Sequence, residues 1–314
     1  MTTSGSWQPP DLSGRVALVT GASRGVGLGV ALALGDCGAT VYVTGRSTRD
    51  GGSTEGIPGT VDDTAEQVTA RGGKGIAVRC DHTDDADNAA LFDTIAAGTG
   101  GRLDLLVNNA WAGYERFSEE APFHAAFWKQ PMWRYDLFAG SLRGQFAVSR
   151  LAAPLLMAAP AGLIVNVSFT DGEVYLGQTP YDIAKYGSDR MVVGMAYDLR
   201  KTAVTAVALH PGFVRTERVA GAWDLVGEGP AQIAHSPEYV GRAVASLSVD
   251  PDLADYSGQR LAVGDLATKY GFDDVDGRRP PPFRLEGSIT LAARMERLGR
   301  IARTGPAPAR GGAK

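Results

Sequence analysis

A doubly wound α/β fold, built on a mostly parallel seven-stranded sheet with helices on both faces, is predicted for this 314-residue chain by three observations. Short apolar runs of strand length recur along the sequence, the stretches between them are long enough for crossover helices, and a glycine-rich turn joins the first run to an apolar helical segment. Taken in order, Arg15 to Thr20 reads as the first strand, T-G-A-S-R-G-V-G as the turn, Val26 to Gly35 as the helix and the β-branched run Thr40 to Thr44 as the second strand. Together they make a βαβ unit. Gly51, Gly52, Gly56 and Gly59 punctuate a loop read as a connector, and a helix begins near Thr60, where Asp63 completes a cap-like pair. Further strands are expected at Gly75 to Arg79, Leu103 to Val107, Gly162 to Val167, Val204 to Leu209 and Arg260 to Val263.

These elements place a single α/β domain at residues 11–268. Beyond it, R-R-P-P-P at 278–282 breaks the chain before a helical pattern from Ser288 to Arg303, so a C-terminal helical extension is expected over 269–303. In that pattern Leu291, Met295, Leu298 and Ala302 share one face, while Arg294, Arg297, Arg300 and Arg303 form a basic flank, read as solvated. Residues 304–314, T-G-P-A-P-A-R-G-G-A-K, have the composition of a disordered tail.

A hydrophobic content of 44% is ample for a core, and a net charge of -4 provides no broad positive field for nucleic acid or an anionic membrane. Neither partner is expected. Cys37 and Cys80 are too few for a disulfide framework and lack the paired spacing of a zinc site, so a reducing cytoplasm is the simplest compartment and no metal is expected. The first ten residues have no basic start or apolar stretch, and no run near 18 apolar residues occurs, which reads as a soluble protein.

The turn carries the first functional signal. Gly21, Gly25 and Gly27 lie between strand and helix, where positions without a side chain permit tight turning and close approach of backbone to a pyrophosphate. The helix N-terminus behind them offers free N–H groups and a positive dipole end. An acidic residue about 20 positions beyond such glycines ordinarily bonds a ribose 2′-hydroxyl, whereas a basic residue accommodates a 2′-phosphate. The second strand here runs into Gly45, Arg46, Ser47 and Thr48, with no acid until Asp50. Arg46, helped by Arg24 and the Ser47 hydroxyl, is therefore expected to grip the 2′-phosphate of NADP(H), with NAD(H) the alternative.

The second signal is Y-D-I-A-K. Tyr181 and Lys185, four apart on a helix, share a face about 6 Å apart along its axis. A free tyrosine has a pKa of about 10, and a neighbouring ammonium favours the phenolate, lowering it by about 1 to 3. Tyr181 then serves as an acid or base, and Ser168 as a hydrogen-bond donor to a developing oxyanion.

With these residues assembled, the chain resembles the short-chain dehydrogenase/reductase family, whose domain has the Rossmann fold, over about residues 11 to 268. The motifs are T-G-A-S-R-G-V-G with Ser23 and Val26, C-D-H-T-D around Asp81, N-N-A at 108–110, Ser168, Y-D-I-A-K, and H-P-G-F-V-R-T at 210–216. The resemblance implies that Asp81 and His82 lie near the adenine, Asn108 and Ala110 along the cofactor, and Pro211, Gly212, Val214 and Thr216 beside the nicotinamide. It also implies that Lys185 bonds the nicotinamide ribose and that the protein is a homodimer or homotetramer. N-N-A-W-A-G-Y near 108 and D-L-A-T-K-Y-G-F-D-D-V-D-G-R near 265 narrow the match to one branch of the family and carry it into the C-terminal segment. Two positions depart from the family pattern. Ser141 stands where an asparagine commonly helps a water relay to the lysine; it is a relay candidate or a helix serine bonding back to the preceding turn. Trp111 replaces the glycine usual after N-N-A.

Nine aromatic residues, Trp111, Tyr114, Phe117, Phe123, Phe127, Trp128, Trp133, Tyr135 and Phe138, crowd one stretch and are expected as a group to supply an apolar pocket wall. The segment Phe213 to His235, with Trp223 and Leu225, resembles the family's substrate lid. Trp111, Tyr175, Phe213 and Trp223 are thus the substrate-pocket candidates, and the expected substrate is a hydrophobic ketone, aldehyde or secondary alcohol. An NAD-dependent relative and a non-catalytic nucleotide-binding scaffold are the competing readings.

Overall fold

The computed structural model describes residues 7–116, 123, 125–172, 174–220 and 233–284. Among these residues seven strands form one sheet: β1 (Val16–Thr20), β2 (Thr40–Gly45), β3 (Lys74–Arg79), β4 (Leu105–Asn108), β5 (Gly162–Val167), β6 (Val204–His210) and β7 (Arg260–Ala262). Their order is β3-β2-β1-β4-β5-β6-β7, and every neighbouring pair is parallel. The expected doubly wound sheet is therefore present. Its order reverses between β1 and β4, the crevice at which such sheets bind ligands.

Helices α1 (Gly25–Asp36), α2 (Val61–Ala70), α3 (Asp85–Thr99), α4 (Met132–Met157) and α5 (Thr179–Leu199) cross between strands. They are followed by the short α6 (Glu217–Ala220), then α7 (Pro237–Leu247) and α8 (Val263–Tyr270). Both sheet faces are covered, so adjacent strand residues that point opposite ways are equally buried. Val19 joins a core with Val30, Leu34, Val43 and Val244, whereas Leu18 joins one with Leu91, Ile95, Val148 and Val192. This two-sided burial explains why the strands read as continuous apolar runs. Helix α1 lies against α7 so closely that a Cβ on Gly29 would collide with the Pro237 backbone, and α1 is accordingly apolar on nearly every side.

Strand β4 starts two residues later than expected because Asp104 works as a connector: its N–H donates to the Val16 carbonyl at 2.9 Å, and its carboxylate accepts the Val16 N–H at 2.9 Å. The predicted cap of α2 is present, with the Thr60 hydroxyl accepting the Asp63 N–H at 3.1 Å. The start of the C-terminal extension is bound to the domain rather than set apart from it. Asp274 accepts the Ser236 N–H at 2.9 Å, the Tyr239 hydroxyl donates to the Pro280 carbonyl at 3.1 Å, and the Phe283 ring lies 5.4 Å from Phe169. The helix expected at 288–303 and the tail at 304–314 lie outside the described residues. No helix among the described residues is long and apolar enough to cross a membrane.

Candidate active site

The glycine turn sits at the β1–β4 switch point and is sewn to both strands. Gly21 has φ +63°, and a Cβ there would lie 2.6 Å from the Ala110 Cα, so the turn requires glycine on two counts. The Asn109 amide donates to the Thr20 and Gly21 carbonyls, both at 2.9 Å, and the Ala110 N–H donates to the Thr20 hydroxyl at 3.0 Å. Ser23 is buried behind the turn, and Val26 and Gly27 belong to the first turn of α1.

Two carboxylates mark anion positions here. The Gly25 N–H at the start of α1 donates to Glu217 Oε2 at 2.8 Å, and Arg46, just past β2, is ion-paired with Glu115. One lies where a helix N-terminus attracts negative charge; the other holds the guanidinium that sequence reasoning assigned to a phosphate. Arg24 takes another direction. Its guanidinium donates to the hydroxyls of Ser47 and Ser53, both at 2.8 Å, to Thr54 at 3.1 Å and to the Pro58 carbonyl at 3.1 Å. Arg24 and Ser47 thus staple the glycine-punctuated loop to the turn.

Asp81 accepts from the Thr83 N–H and hydroxyl at 3.0 and 2.7 Å, with the Arg46 charge nearby. The His82 side chain is turned inward: Nε2 lies 2.8 Å from the Thr44 hydroxyl, Nδ1 lies 2.9 Å from Asn88 Oδ1, and burial lowers its pKa. What His82 can present to an adenine is therefore backbone. The Asn108 amide likewise donates inward, to Ser149 and Asn166, both at 2.8 Å. Pro211, Gly212, Phe213, Val214 and Thr216 follow β6. The Pro211 carbonyl accepts from His235 at 2.6 Å, Val214 bridges to His235, and the Thr216 methyl lies beside Gly25.

Helix α5 begins where Gln178 Oε1 accepts the Tyr181 N–H at 3.0 Å, which projects Tyr181 into a buried cluster of aromatic rings. Trp111, Phe138 and Phe123 meet its ring at centroid distances of 5.9, 5.8 and 6.1 Å, and Tyr114 lies at 6.4 Å with its hydroxyl bonded to that of Tyr181. One turn on, Lys185 Nζ lies 3.9 Å from the Trp111 ring centroid and 5.7 Å from that of Tyr181. Ser168 follows β5 and donates from Oγ to the Lys185 carbonyl at 3.1 Å. The structure thus gathers Ser168, Tyr181 and Lys185 at one end of α5.

The electrostatics differ from the expectation. Burial pushes Tyr181 well above the ordinary phenol range and the contact with Tyr114 adds to this, while burial brings Lys185 down to about 8, partly offset by Asp189. Burial disfavours the phenolate, while the Lys185 ammonium lies over the indole. The site thus favours Tyr181 in its protonated form.

Ser141 bonds locally through its side chain. Its hydroxyl donates to the Leu137 carbonyl at 2.9 Å and accepts the Ala112 N–H at 3.0 Å, so it bonds back to its own helix while anchoring the loop that carries Trp111. The pocket candidates divide. Trp111 packs in the cluster around Tyr181, but Tyr175 is 43% exposed with its hydroxyl 3.2 Å from that of Thr179, while its neighbours Val174 and Leu176 face inward. Trp223, Leu225 and Phe117 lie outside the described residues. Of the other aromatics, Tyr114, Phe123 and Phe138 pack in the same cluster, Phe127, Trp128 and Tyr135 face outward, and Trp133 packs under Arg116 and Arg134. Phe283, which sequence patterning missed, reaches this region from the extension.

The short chain dehydrogenase family signature matches residues 15–224, which include the glycine turn, Ser168, Tyr181 and Lys185. The chain belongs to the short-chain dehydrogenase/reductase family. Within this family it is 37% identical over 279 residues to mouse dehydrogenase/reductase SDR family member 1, covering 85% of each chain. That relative represents the branch which N-N-A-W-A-G-Y points to. Among solved family structures, a putative dehydrogenase from Xanthomonas campestris superposes with TM-score 0.73 at 28% identity, over 87% of this chain and 96% of that one. A metagenomic short-chain oxidoreductase in complex with NADP superposes with TM-score 0.62 at 28% identity, over 80% and 97%. Membership makes the protein an oxidoreductase that uses a nicotinamide cofactor. Sequence reasoning also missed Asn109, although it stands inside N-N-A, and Glu115 and Glu217, whose pairing across long chain separations left no local signal.

Proposed function

We propose that the protein is an NADP(H)-dependent reductase that interconverts a hydrophobic ketone or aldehyde and its alcohol. The observation that carries this is Tyr181 one helical turn from Lys185, with Ser168 bonded to the same helix, among a cluster of aromatic rings. The cradle fits a dinucleotide: Gly21 leaves no room for a side chain, the α1 N-terminus already attracts a carboxylate, and so does Arg46. Gly21, Gly25, Gly27 and Ala110 would hold the pyrophosphate and ribose, Arg46 the 2′-phosphate, and Pro211, Gly212, Val214 and Thr216 the nicotinamide. The bound cofactor supplies a hydride.

Ser168 donates a hydrogen bond to the substrate oxygen and stabilises the charge that develops there. Tyr181 transfers its proton to that oxygen. The Lys185 ammonium, one turn away, limits the cost of the phenolate left behind. The aromatic walls exclude water and bind an apolar body, leaving the carbonyl for Ser168 and Tyr181. In the reverse direction Tyr181 takes the proton of the alcohol. The exposed apolar side chains Phe146 of α4 and Ile183, Val193 and Tyr197 of α5 support a homo-oligomer, and two free cysteines, both buried, accord with a reducing cytoplasm.

A panel of carbonyls assayed against NADPH and NADH tests the reading. Bulky apolar ketones and aldehydes are expected to show a kcat/KM at least tenfold above small polar ones, an increment of about 1.4 kcal/mol that one buried apolar group supplies. Turnover of small polar carbonyls alone would refute the apolar pocket.

A further inference from the structure

A second buried polar cluster lies directly behind the catalytic group. Asp189 stands one turn beyond Lys185 on α5 and is buried, yet its carboxylate is fully engaged. The Thr170 hydroxyl donates to Oδ2 at 2.5 Å, and His210 Nε2 lies 3.2 and 3.1 Å from Oδ1 and Oδ2. Ser168, two residues before Thr170, donates from its hydroxyl to the Lys185 carbonyl at 3.1 Å on the same helix. Burial alone would raise the Asp189 pKa; the bonds from His210 and Thr170 lower it and favour the ionised group. The cluster thus spans three elements: the segment after β5, the end of β6 and α5. A buried carboxylate assembled from three elements is costly unless satisfied, and this one serves no strand pairing or helix cap.

We propose that Asp189, bonded to His210 and Thr170, is a positioning residue that ties the segment carrying Ser168 to α5 and places a negative charge one turn from Lys185. This rests on the reading of Ser168, Tyr181 and Lys185 as the catalytic group. Lys185 lies over the rings of Trp111 and Tyr181, and Asp189, one turn on, is the negative group that favours its charged form against desolvation. Around Asp189 itself the charged and titratable groups are Lys185 and Tyr186 on α5, His210 on β6 and Arg260 on β7, the last bonded to Thr170 at 3.4 Å. His210 orients the carboxylate, and through Thr170 the carboxylate fixes the segment that carries Ser168. When a substrate oxygen arrives, rotation about the Cβ–Oγ bond turns the serine proton toward it without moving the oxygen.

The charge on Lys185 can be read without turnover, because the ammonium lies over Trp111. The emission of the protein minus that of Trp111→Phe is expected to titrate near pH 8, and Lys185→Met should abolish that transition. In Asp189→Asn the loss of the negative charge removes support for the ammonium, so the transition should move down by about one pH unit. With NADPH and the best ketone of the panel, kcat should fall at least tenfold while the KM for NADPH changes less than threefold. In Asp189→Glu, which keeps the charge but displaces it, the transition should stay within about 0.3 of wild type while kcat falls several-fold. Asp189→Glu also serves as the test if Asp189→Asn does not fold. A transition that stays at the wild-type pH in Asp189→Asn, or wild-type kcat in Asp189→Glu, would overturn the proposal. Full turnover by Tyr181→Phe would instead refute the catalytic reading on which it rests.

Discussion

Tyr181→Phe is expected to lower kcat by about 10³-fold, within the range for loss of a positioned general acid, while leaving NADPH affinity within about twofold of wild type. The change removes one oxygen and retains the ring. The contacts of that ring with Trp111, Phe138 and Phe123 survive, so the cluster keeps its shape. The variant does leave the Tyr114 hydroxyl without the bond it shares with Tyr181, and a modest loss of stability should accompany the loss of rate. Stopped-flow reduction with saturating NADPH separates the two effects, because stability alone does not alter a single-turnover rate in folded enzyme. A scaffold that binds nucleotide without turnover predicts no difference between wild type and variant in any such assay.

Arg46→Ala is expected to weaken NADPH binding by about 10- to 100-fold and NADH binding by less than about threefold. The basis is a charge-assisted contact to a 2′-phosphate, worth about 1.5–3 kcal/mol. Loss of the Glu115 ion pair affects both cofactors alike, and at 33% and 20% side-chain exposure that pair is partly screened. The ratio of the two affinity losses therefore isolates the phosphate. The freed Glu115 carboxylate sharpens the contrast, since it repels the 2′-phosphate and has no such effect on a 2′-hydroxyl. Titrating each cofactor by nicotinamide fluorescence gives both constants; equal losses would assign the protein to NAD(H).

The fold was legible because its signals are local and redundant. Each strand is a short apolar run, each crossover has helical length, and Gly21 to Gly27 punctuate the first connection, so errors were confined to ends such as Leu103, where Asp104 serves as a connector. The catalytic group was legible for the same reason, since Tyr181 and Lys185 lie on a single helix and Ser168 closes the preceding strand. Side-chain commitment was not legible. Whether Arg24 reaches a phosphate or the hydroxyls of Ser47 and Ser53 depends on how the 53–59 loop packs, which no local pattern encodes. The bond of the Ser141 hydroxyl to the Ala112 N–H likewise joins segments 29 residues apart and left no local pattern. His82 and Asn108 fall inside family motifs, yet their side chains face the core, where His82 meets Thr44 and Asn88, and Asn108, at the end of β4, bonds Ser149 and Asn166. Asp189 was overlooked although it stands four residues beyond Lys185, since an i, i+4 acid reads as an ordinary surface pair until His210 and Thr170 are seen to bury it.

The most direct test follows the hydrogen itself. NADPH deuterated at the transferable C4 position should deliver deuterium to the carbinol carbon of a bulky apolar alcohol product with wild-type enzyme, and none should appear with Tyr181→Phe over the same period. Mass spectrometry of the product reads this in a single experiment. Deuterium in the product at equal rates with both proteins, or no deuterated alcohol from any ketone or aldehyde of the panel, would contradict the account.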